Sequence, residues 1–208
     1  MRQRLWGVLM KVVAFSDIHG NVAALKDARE RIINRVKPDV VVVCGDITHL
    51  GGAEVALQVL RALEGLHVFY VWGNMDSVGR NLQLPLEGME CIHGRIVSFG
   101  GVDFVGLSAN FDPKFLLSVK KSENPMVVVS HEPPRGCCDK AWSGMNIGNK
   151  HLRSFVESVM PELVFCGHVH EARGSCQLGA TIVVNVGKCS EGGAVATLTQ
   201  GSFEVNLI

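Results

Sequence analysis

Five short apolar runs constrain the fold of this chain more than any other feature of its sequence. The clearest is Val40–Cys44, four valines and a cysteine with no polar face. A strand of this kind is buried on both sides, which is typical of a parallel sheet covered by other layers. Similar runs occupy residues 12–15, 68–72, 126–129 and 163–166, and we predict a buried strand at each.

Segments with helical spacing separate these runs. Residues 21–36 carry apolar side chains three or four positions apart, and Pro38 ends the predicted helix. The alternation of strands and helices predicts an α/β architecture with right-handed crossovers. We predict further helices at residues 53–63, 113–121 and 149–160, a hairpin at 96–107 that turns at Gly100-Gly101, and strands at 173–178, 181–185, 194–198 and 203–207.

We expect residues 1–208 to form one two-layer or sandwich-like domain, because no linker, repeat or low-complexity segment interrupts the chain. The N-terminus resembles a signal peptide, but Lys11 interrupts its apolar run and no small-residue cleavage site follows. Met10 could be the true start instead of Met1, which would make residues 1–9 an upstream extension. No apolar run approaches the ~18 residues of a membrane span, so no membrane contact is expected.

Charge and cysteine content narrow the function. Lys plus Arg is 20 and Asp plus Glu is 20, and this balance argues against capture of nucleic acid by a broad basic surface. The seven cysteines are an odd number and include no C-x-x-C pair. We therefore expect neither a disulfide framework nor a thiolate zinc site, and we predict a cytoplasmic location. The adjacent Cys137 and Cys138 are interpreted as buried or incidental thiols.

Polar side chains follow all five buried strands directly. In open α/β sheets ligands bind beyond the carboxyl ends of the strands, so we expect these side chains to converge. Carboxylate, imidazole and amide ligands without thiolate favour manganese, iron, zinc or cobalt. Seven such side chains are too many for one ion and suit two. They are Asp17, His19, Asp46, Asn74, His131, His168 and His170.

The chain resembles the calcineurin-like metallophosphoesterase family over about residues 12–187. Each motif is weak alone, whereas five in order at strand ends are specific. The segments around His131 and His168 are similar to those of small prokaryotic, archaeal-type members. The resemblance implies a β-sandwich flanked by helices, in four α/β/β/α layers. The motifs are Asp17-x-His19, Gly45-Asp46, Gly73-Asn74, His131 and Gly167-His168-x-His170.

The family's ligands carry over residue by residue. The resemblance implies two divalent or trivalent transition-metal ions, with manganese favoured and iron, zinc, cobalt or nickel as alternatives. Asp46 would bridge them together with a hydroxide that attacks phosphorus. One ion would be held by Asp17, His19, Asp46 and His170, and the other by Asp46, Asn74, His131 and His168.

One position departs from the family pattern. Many members have a histidine directly after the Gly-Asn pair, where this chain has Met75. Methionine can neither transfer a proton nor donate a hydrogen bond. We therefore predict that Asp76 or His49 assists Asp46 and Asn74 in catalysis, or that the reaction relies on a good leaving group. An ordinary loop histidine is the alternative for His49.

Other polar residues near the predicted site are given structural or solvent roles. Asn21 is predicted to cap the helix it precedes rather than to contact phosphate. Solvation is favoured over phosphate contact for three cations, Arg135, Lys140 and Lys188. Structural or solvent roles are predicted for three further histidines, His67, His93 and His151.

The sequence therefore predicts a metal-dependent phosphoesterase for a small phosphodiester or phosphomonoester. The diester is slightly preferred because the usual acid histidine is absent. The alternatives are a nuclease or protein phosphatase, and a catalytically weak metal-binding scaffold that serves interactions. A small phosphate ester is the expected ligand, nucleic acid is not expected, and a homo-oligomer stays open.

Overall fold

Two six-stranded sheets, packed face to face, form the centre of the computed structural model, which describes residues 10–208. Helices cover the outer face of each sheet, so the layers run helix, sheet, sheet, helix. This confirms the four-layer α/β/β/α sandwich expected from the sequence. The predicted extension at residues 1–9, and the choice between Met1 and Met10 as the start, lie outside the described residues.

Both sheets have a parallel centre; the first has antiparallel strands at one edge only, and the second has an antiparallel strand at each edge. The first sheet has the order β12-β11-β1-β2-β3-β4 and the second β5-β6-β7-β8-β10-β9. The strands are β1 (Met10–Phe15), β2 (Val40–Cys44), β3 (Val68–Val71), β4 (Met89–Cys91), β5 (Ile96–Phe99), β6 (Val102–Leu107), β7 (Met126–Ser130), β8 (Leu163–Cys166), β9 (Gly174–Leu178), β10 (Thr181–Asn185), β11 (Ala194–Thr199) and β12 (Ser202–Leu207). Neighbours among β1 to β4 are parallel, as are those among β6, β7, β8 and β10.

Helix α1 covers residues 22–36 in three parts, Val22–Ala28, a π-helical turn at Arg29–Ile33 and Asn34–Val36. The Asn21 side chain accepts a hydrogen bond from Ala24 N at 3.0 Å, so it caps this helix as predicted. Helices α2 (Ala53–Leu60), α3 (Lys114–Ser118) and α4 (Lys150–Val159) follow along the chain, and a short turn, Arg61–Leu63, extends α2.

Strand β2 shows why the central strands are apolar on both faces. Val41 and Val43 pack in the core beneath α1 and α2, whereas Val40, Val42 and Cys44 pack against the second sheet. All five are buried. Full burial of such a side chain contributes about 1.5–3 kcal/mol, which holds the strand ends, and the loops that follow them, in fixed positions.

Two features differ from the sequence prediction, and one strand pairing was not part of it. Strand β4 was not predicted, because three residues with Glu90 in the middle give no clear pattern. Helix α3 is shorter than residues 113–121, since Val119 is already extended. Strands β11 and β12 join the first sheet, with Val195 opposite Val13, so this sheet uses both ends of the described chain. The second sheet uses the continuous middle, residues 96–185.

None of the helices in residues 10–208 is long and apolar enough to cross a membrane.

Candidate metal centre

The carboxyl ends of β1, β2, β3, β7 and β8 open onto one cleft of about 540 Å³. Six of the seven predicted ligands line it, and the seventh, His131, is buried behind Asp46. The structure therefore brings all seven predicted ligands together at one cleft. The cleft is lined by Asp17, Ile18, His19, Asn21, Asp46, His49, Asn74, Met75, His168, His170, Lys188 and Ser190.

Four of the predicted ligands have a left-handed backbone. The φ angles are 51° at Asp17, 51° at His19, 49° at Asp46 and 68° at His168. Residues other than glycine adopt this conformation only rarely, and such residues cluster at functional sites. Asp17 N donates to Gly45 O at 3.1 Å and His19 N donates to Asp46 O at 2.9 Å. The loops after β1 and β2 therefore hold each other in this conformation.

Glycine is required where these loops pass one another. A Cβ atom at Gly73 would overlap the backbone and carboxylate of Asp46, and one at Gly167 would overlap Ser16 and Asp17. Neither neighbour can withdraw, because each belongs to the site. This agrees with the close backbone approach that glycine permits.

Asp17, His19 and His170 form a first group of donor atoms. His170 Nε2 lies 3.1 Å from Asp17 Oδ1 and 3.3 Å from His19 Nε2. His19 Nε2 lies 3.9 Å from Asp17 Oδ1. Two ring nitrogens and one carboxylate oxygen thus point at a common space, as the ligands of a cation do.

Asp46 connects this group to the other side of the cleft. Its Oδ2 lies 3.9 Å from His19 Nε2, and its Oδ1 lies 3.6 Å from His131 Nε2. Met75 N donates to Asp46 Oδ1 at 2.8 Å, which fixes the carboxylate. The two oxygens of one buried side chain therefore face two different histidines.

His131, Asn74 and His168 lie on the far side of Asp46. His131 Nε2 is 2.8 Å from Asn74 Oδ1, and its Nδ1 is 2.9 Å from Cys44 O. The second contact turns Nε2 toward the cleft, as outer-shell partners of metal-binding histidines do. The His168 ring centroid lies 5.0 Å from that of His131.

The charges of the site perturb one another. Burial alone would raise the pKa of Asp17, but the hydrogen bond with His170, the charge of His131 and the hydrogen bond with Ser16 together lower it. The same Asp17 hydrogen bond raises the pKa of His170 against the effect of burial. Burial lowers the pKa of His168, which favours the neutral form that binds metals.

These residues fit a metal centre. Two groups of three side chains have donor atoms that all lie within 4.8 Å of one another inside the group. They are Asp17 with His19 and His170, and Asp17 with Asp46 and His131. Oxygen and imidazole donors without thiolate suit borderline divalent cations. The donor chemistry and the convergence of the side chains therefore agree with the ligand types expected from the sequence.

Asp76, predicted as a catalytic residue, does not line the cleft. It is buried, and its Oδ1 accepts hydrogen bonds from Thr48 N at 2.7 Å and Thr48 Oγ1 at 2.9 Å. Its Oδ2 accepts from Gly73 N at 2.8 Å and from Ile47 N at 3.3 Å. Because both oxygens are occupied by donors from two loops, this placement argues against proton transfer and favours a positioning role.

His49 and Met75 lie at the mouth of the cleft. His49 is exposed and its ring centroid lies 5.7 Å from that of His19, so it is placed where a proton donor could reach a substrate. Met75 forms part of the wall beside Asn74.

Of the three cations considered from the sequence, Lys188 alone lines the cleft, while Arg135 and Lys140 are exposed and do not. Lys188 and Ser190 belong to the turn after β10. Solvation was the expectation from the sequence for Lys188, and Ser190 was not predicted as part of the site. The signal available was Asn185-Val186-Gly187, a turn at the end of a predicted strand.

The remaining histidines considered from the sequence lie away from the cleft. The His67 ring stacks on Phe99 with centroids 4.2 Å apart. Ser108 N donates to His93 Nδ1 at 3.0 Å. His151 is exposed on α4.

Cys137 and Cys176 form a disulfide, which corrects the expectation of a chain without such a bond. Cys137 follows β7 and Cys176 lies on the edge strand β9, 39 residues further along the chain. The fold brings them together, with Cα atoms 6.1 Å apart, within the range that disulfides adopt. Cys138 is a free thiol beside this pair.

The sequence model of the calcineurin-like phosphoesterase family matches residues 10–172. A protein of Methanocaldococcus jannaschii described as uncharacterised is 29% identical over 201 residues, which cover 85% of this chain and 87% of that protein. A Helicobacter pylori protein described as an uncharacterised metallophosphoesterase is 26% identical over 185 residues. That match covers 77% of this chain but 44% of the longer bacterial protein.

Solved structures share the fold at low sequence identity. A protein of Thermus thermophilus superposes with a TM-score of 0.71 at 17% identity, covering 96% of this chain and 99% of the other. A structure described as a dimetal phosphatase from Danio rerio gives a TM-score of 0.66 at 15% identity, covering 94% and 98%.

Proposed function

This chain belongs to the calcineurin-like phosphoesterase family, and we propose that it hydrolyses a small phosphate ester at a two-metal centre. The observation that carries the proposal is the placement of Asp46. One of its oxygens lies near His19 and the other near His131, so both sides of the cleft meet at this side chain. A carboxylate in that position suits a bridge between two cations.

The two ions would share Asp46. Manganese is the first candidate, and iron, zinc, cobalt and nickel suit the same oxygen and imidazole donors. When bound, such ions lower the pKa of coordinated water and neutralise the charge of the phosphate oxygens. The first ion would be held by Asp17, His19, Asp46 and His170, and the second by Asp46, Asn74, His131 and His168.

The chain's own residues prepare this site. Asp17 Oδ2 accepts a hydrogen bond from His168 N at 3.0 Å while its Oδ1 contacts His170, so one carboxylate fixes the loop after β8. Met75 N prevents free rotation of Asp46. The ligands are therefore held before any substrate arrives, which lowers the cost of reorganisation during the reaction.

Lys188 and Ser190 would receive the phosphate group. Lys188 lies close enough to His170 to oppose protonation of that ring, and it has no ion-pair partner among residues 10–208. An ammonium group at the mouth of a cleft can form charge-assisted hydrogen bonds to phosphate oxygens. Ser190 adds a hydroxyl beside it.

His49 is the residue we propose as proton donor to the leaving oxygen. Its exposed ring stands at the mouth, next to His19, whereas Met75 supplies no proton. Without an acid beside Asn74, good leaving groups are favoured, and we give diesters a slight preference over monoesters.

The test is hydrolysis of bis-p-nitrophenyl phosphate and p-nitrophenyl phosphate by metal-stripped protein refilled with Mn²⁺, then with each alternative metal. We expect turnover that depends on metal and that is lost in Asp46→Asn. The ratio of the two rates distinguishes diesterase from monoesterase.

Bound metal without turnover on either ester would contradict the proposal and favour the metal-binding scaffold. Metal content, measured by elemental analysis on the same samples, separates that outcome from a failure to load the site.

A further inference from the structure

Three cysteine sulfurs meet on the helix-covered side of the second sheet, away from the cleft. The Sγ atoms of Cys137, Cys138 and Cys176 lie within 4.8 Å of one another. Cys137 and Cys176 are joined, and Cys138 is free. A free thiol at this distance from a disulfide can exchange with it, since exchange proceeds by direct attack of a thiolate on a disulfide sulfur.

Exposure distinguishes Cys138 from the other free cysteines. All seven cysteines lie in the described part of the chain, and of the five free ones Cys44, Cys91, Cys166 and Cys189 are buried. Burial raises the pKa of all five free thiols, Cys138 included, so exposure and not acidity sets Cys138 apart. Cys138 is half-buried, so it alone combines access to solvent with a neighbouring disulfide.

The cluster is tied to both parts of the metal centre. Cys137 lies six residues after His131, and Cys176 lies six residues after His170. The disulfide therefore links the loop after His131 to the strand after His170, and both histidines are predicted ligands.

A buried amide makes a second link. Asn185 is fully excluded from solvent, and its Nδ2 donates to Cys138 O at 3.0 Å and to Val169 O at 2.8 Å. Val169 lies between His168 and His170. The backbone of Cys138 is thus fixed against the loop that carries two predicted ligands.

We propose that Cys137, Cys138 and Cys176 form a reversible thiol–disulfide site that reacts with small-molecule disulfides and sets the rigidity of the loop at residues 132–148. This site does not depend on the proposed hydrolytic activity.

The chemistry balances without a further reactant. Starting from three thiols, the Cys138 thiolate attacks a small disulfide RSSR, forms a mixed disulfide and releases RS⁻. The Cys176 thiolate then attacks the Cys138 sulfur and releases the second RS⁻. Finally the Cys137 thiolate attacks the Cys176 sulfur and displaces the Cys138 thiolate. Two protein thiols are oxidised to one disulfide, and RSSR is reduced to two RSH after protonation.

The experiment equilibrates the purified protein in buffers of reduced and oxidised glutathione, quenches it with an alkylating reagent and maps the peptides by mass. We expect the Cys137–Cys176 link to appear and disappear reversibly with the glutathione ratio. In Cys138→Ser the exchange should slow by about tenfold or more, because a positioned intramolecular nucleophile is lost. Cys91→Ala is the matched control and should exchange at the wild-type rate.

Hydrogen exchange gives a readout that needs no substrate. Residues 132–148 should exchange more slowly in the oxidised protein than in the reduced protein or in Cys176→Ser. If Cys138→Ser fails to fold, Cys138→Ala serves instead.

Three results would overturn the proposal. The first is a link that never forms at any glutathione ratio, and the second is equal exchange rates with and without the Cys138 thiol. The third is protection of all three reduced thiols by added Zn²⁺, which would make the cluster a thiolate metal site.

Discussion

The two sheets contribute different chemistry to the candidate metal centre. The first sheet supplies the oxygen donors, Asp17, Asp46 and Asn74, together with His19, whereas the second supplies His131, His168 and His170. Lys188 follows β10, so the second sheet also supplies the ammonium group. The anionic side of the cleft is thus built on the first sheet, which also carries His19 and His49, whereas three of the four candidate imidazole ligands are on the second.

This division means that the site exists only where the sheets pack together. Buried carboxylates near one another repel, and the imidazoles across the interface lower that cost. The core between the sheets therefore holds the site as well as the fold. Substitutions whose effects distinguish the two sheets test this interpretation.

The largest effect is expected from Phe104→Ala. Phe104 lies between the sheets, with its ring 5.1 Å from Phe69, and its truncation should cost about 3–5 kcal/mol. Phe155→Ala is the matched variant in the core beneath α4 and should cost a similar amount. Urea unfolding measures both. Manganese titration should show weaker binding for Phe104→Ala only, and equal weakening in both would show that packing between the sheets does not support the site.

Lys188→Met tests the cation of the second sheet. Loss of a hydrogen bond to a charged group costs about 1.5–3 kcal/mol, so kcat/KM should fall by about ten- to a hundredfold. Metal content should not change, because Lys188 is not a predicted ligand. Lys140→Met, an exposed lysine outside the cleft, is the control. Equal kinetics in the two variants would remove Lys188 from the phosphate site.

Asp76→Asn tests a carboxylate of the first sheet that does not face the cleft. The amide replaces one acceptor oxygen with a donor, so at least one buried N–H loses its partner, at a cost of about 1–3 kcal/mol. Thermal unfolding should detect this loss. Asp27→Asn, at an exposed carboxylate, is the control and should change stability far less. If Asp76→Asn lost activity without losing stability, the catalytic role of Asp76 would be restored.

Asp46→Asn and His131→Asn should have opposite effects on the metal-free protein. Asp46→Asn removes a negative charge near Asp17, so it should stabilise the metal-free protein by about 1 kcal/mol. His131→Asn removes the imidazole and leaves both carboxylates, so it should destabilise the metal-free protein. Urea unfolding in chelator measures both variants. A loss of stability in both would contradict the charge division between the sheets.

Asp103 provides the smallest expected effect, from a carboxylate outside the site. Burial would raise its pKa, but hydrogen bonds from Ser122, Ser98 and Asn124 lower it. A carboxylate whose pKa is lower in the folded state than in the unfolded state stabilises the protein at pH values above the unfolded pKa of about 3.9. This stability is lost as the pH falls through the folded-state pKa. Asp103→Asn should therefore lose about 1 kcal/mol at pH 7 and progressively less below about pH 4. A pH-independent difference would show that the charge does not matter.

The strands and the convergence of the candidate ligands could be predicted from the sequence because both depend on local signals. Val40–Cys44 and both strands of the hairpin at residues 96–107 have the predicted bounds, since apolar runs and Gly100-Gly101 mark them directly. The ligands follow strand ends, and parallel strand ends converge by geometry.

The features that could not be predicted depend on contacts between residues far apart in the sequence. The pairing of β11 with β1 and the meeting of Cys137 with Cys176 join segments that no local pattern connects. Asp76 sits two residues after Asn74, and only the fold reveals that Thr48 and Gly73 occupy its oxygens.

The route of the chain through the first sheet also has a consequence during synthesis. Strand β1 ends at Phe15, but its antiparallel neighbour β11 begins at Ala194. At about 5–20 residues per second, the ribosome needs roughly ten seconds or more to make the chain between them. Throughout that time one edge of β1 has no partner strand, and an unpaired apolar edge is where nascent chains aggregate. A chaperone that shields β1 until the last strands emerge would therefore increase the yield of folded protein.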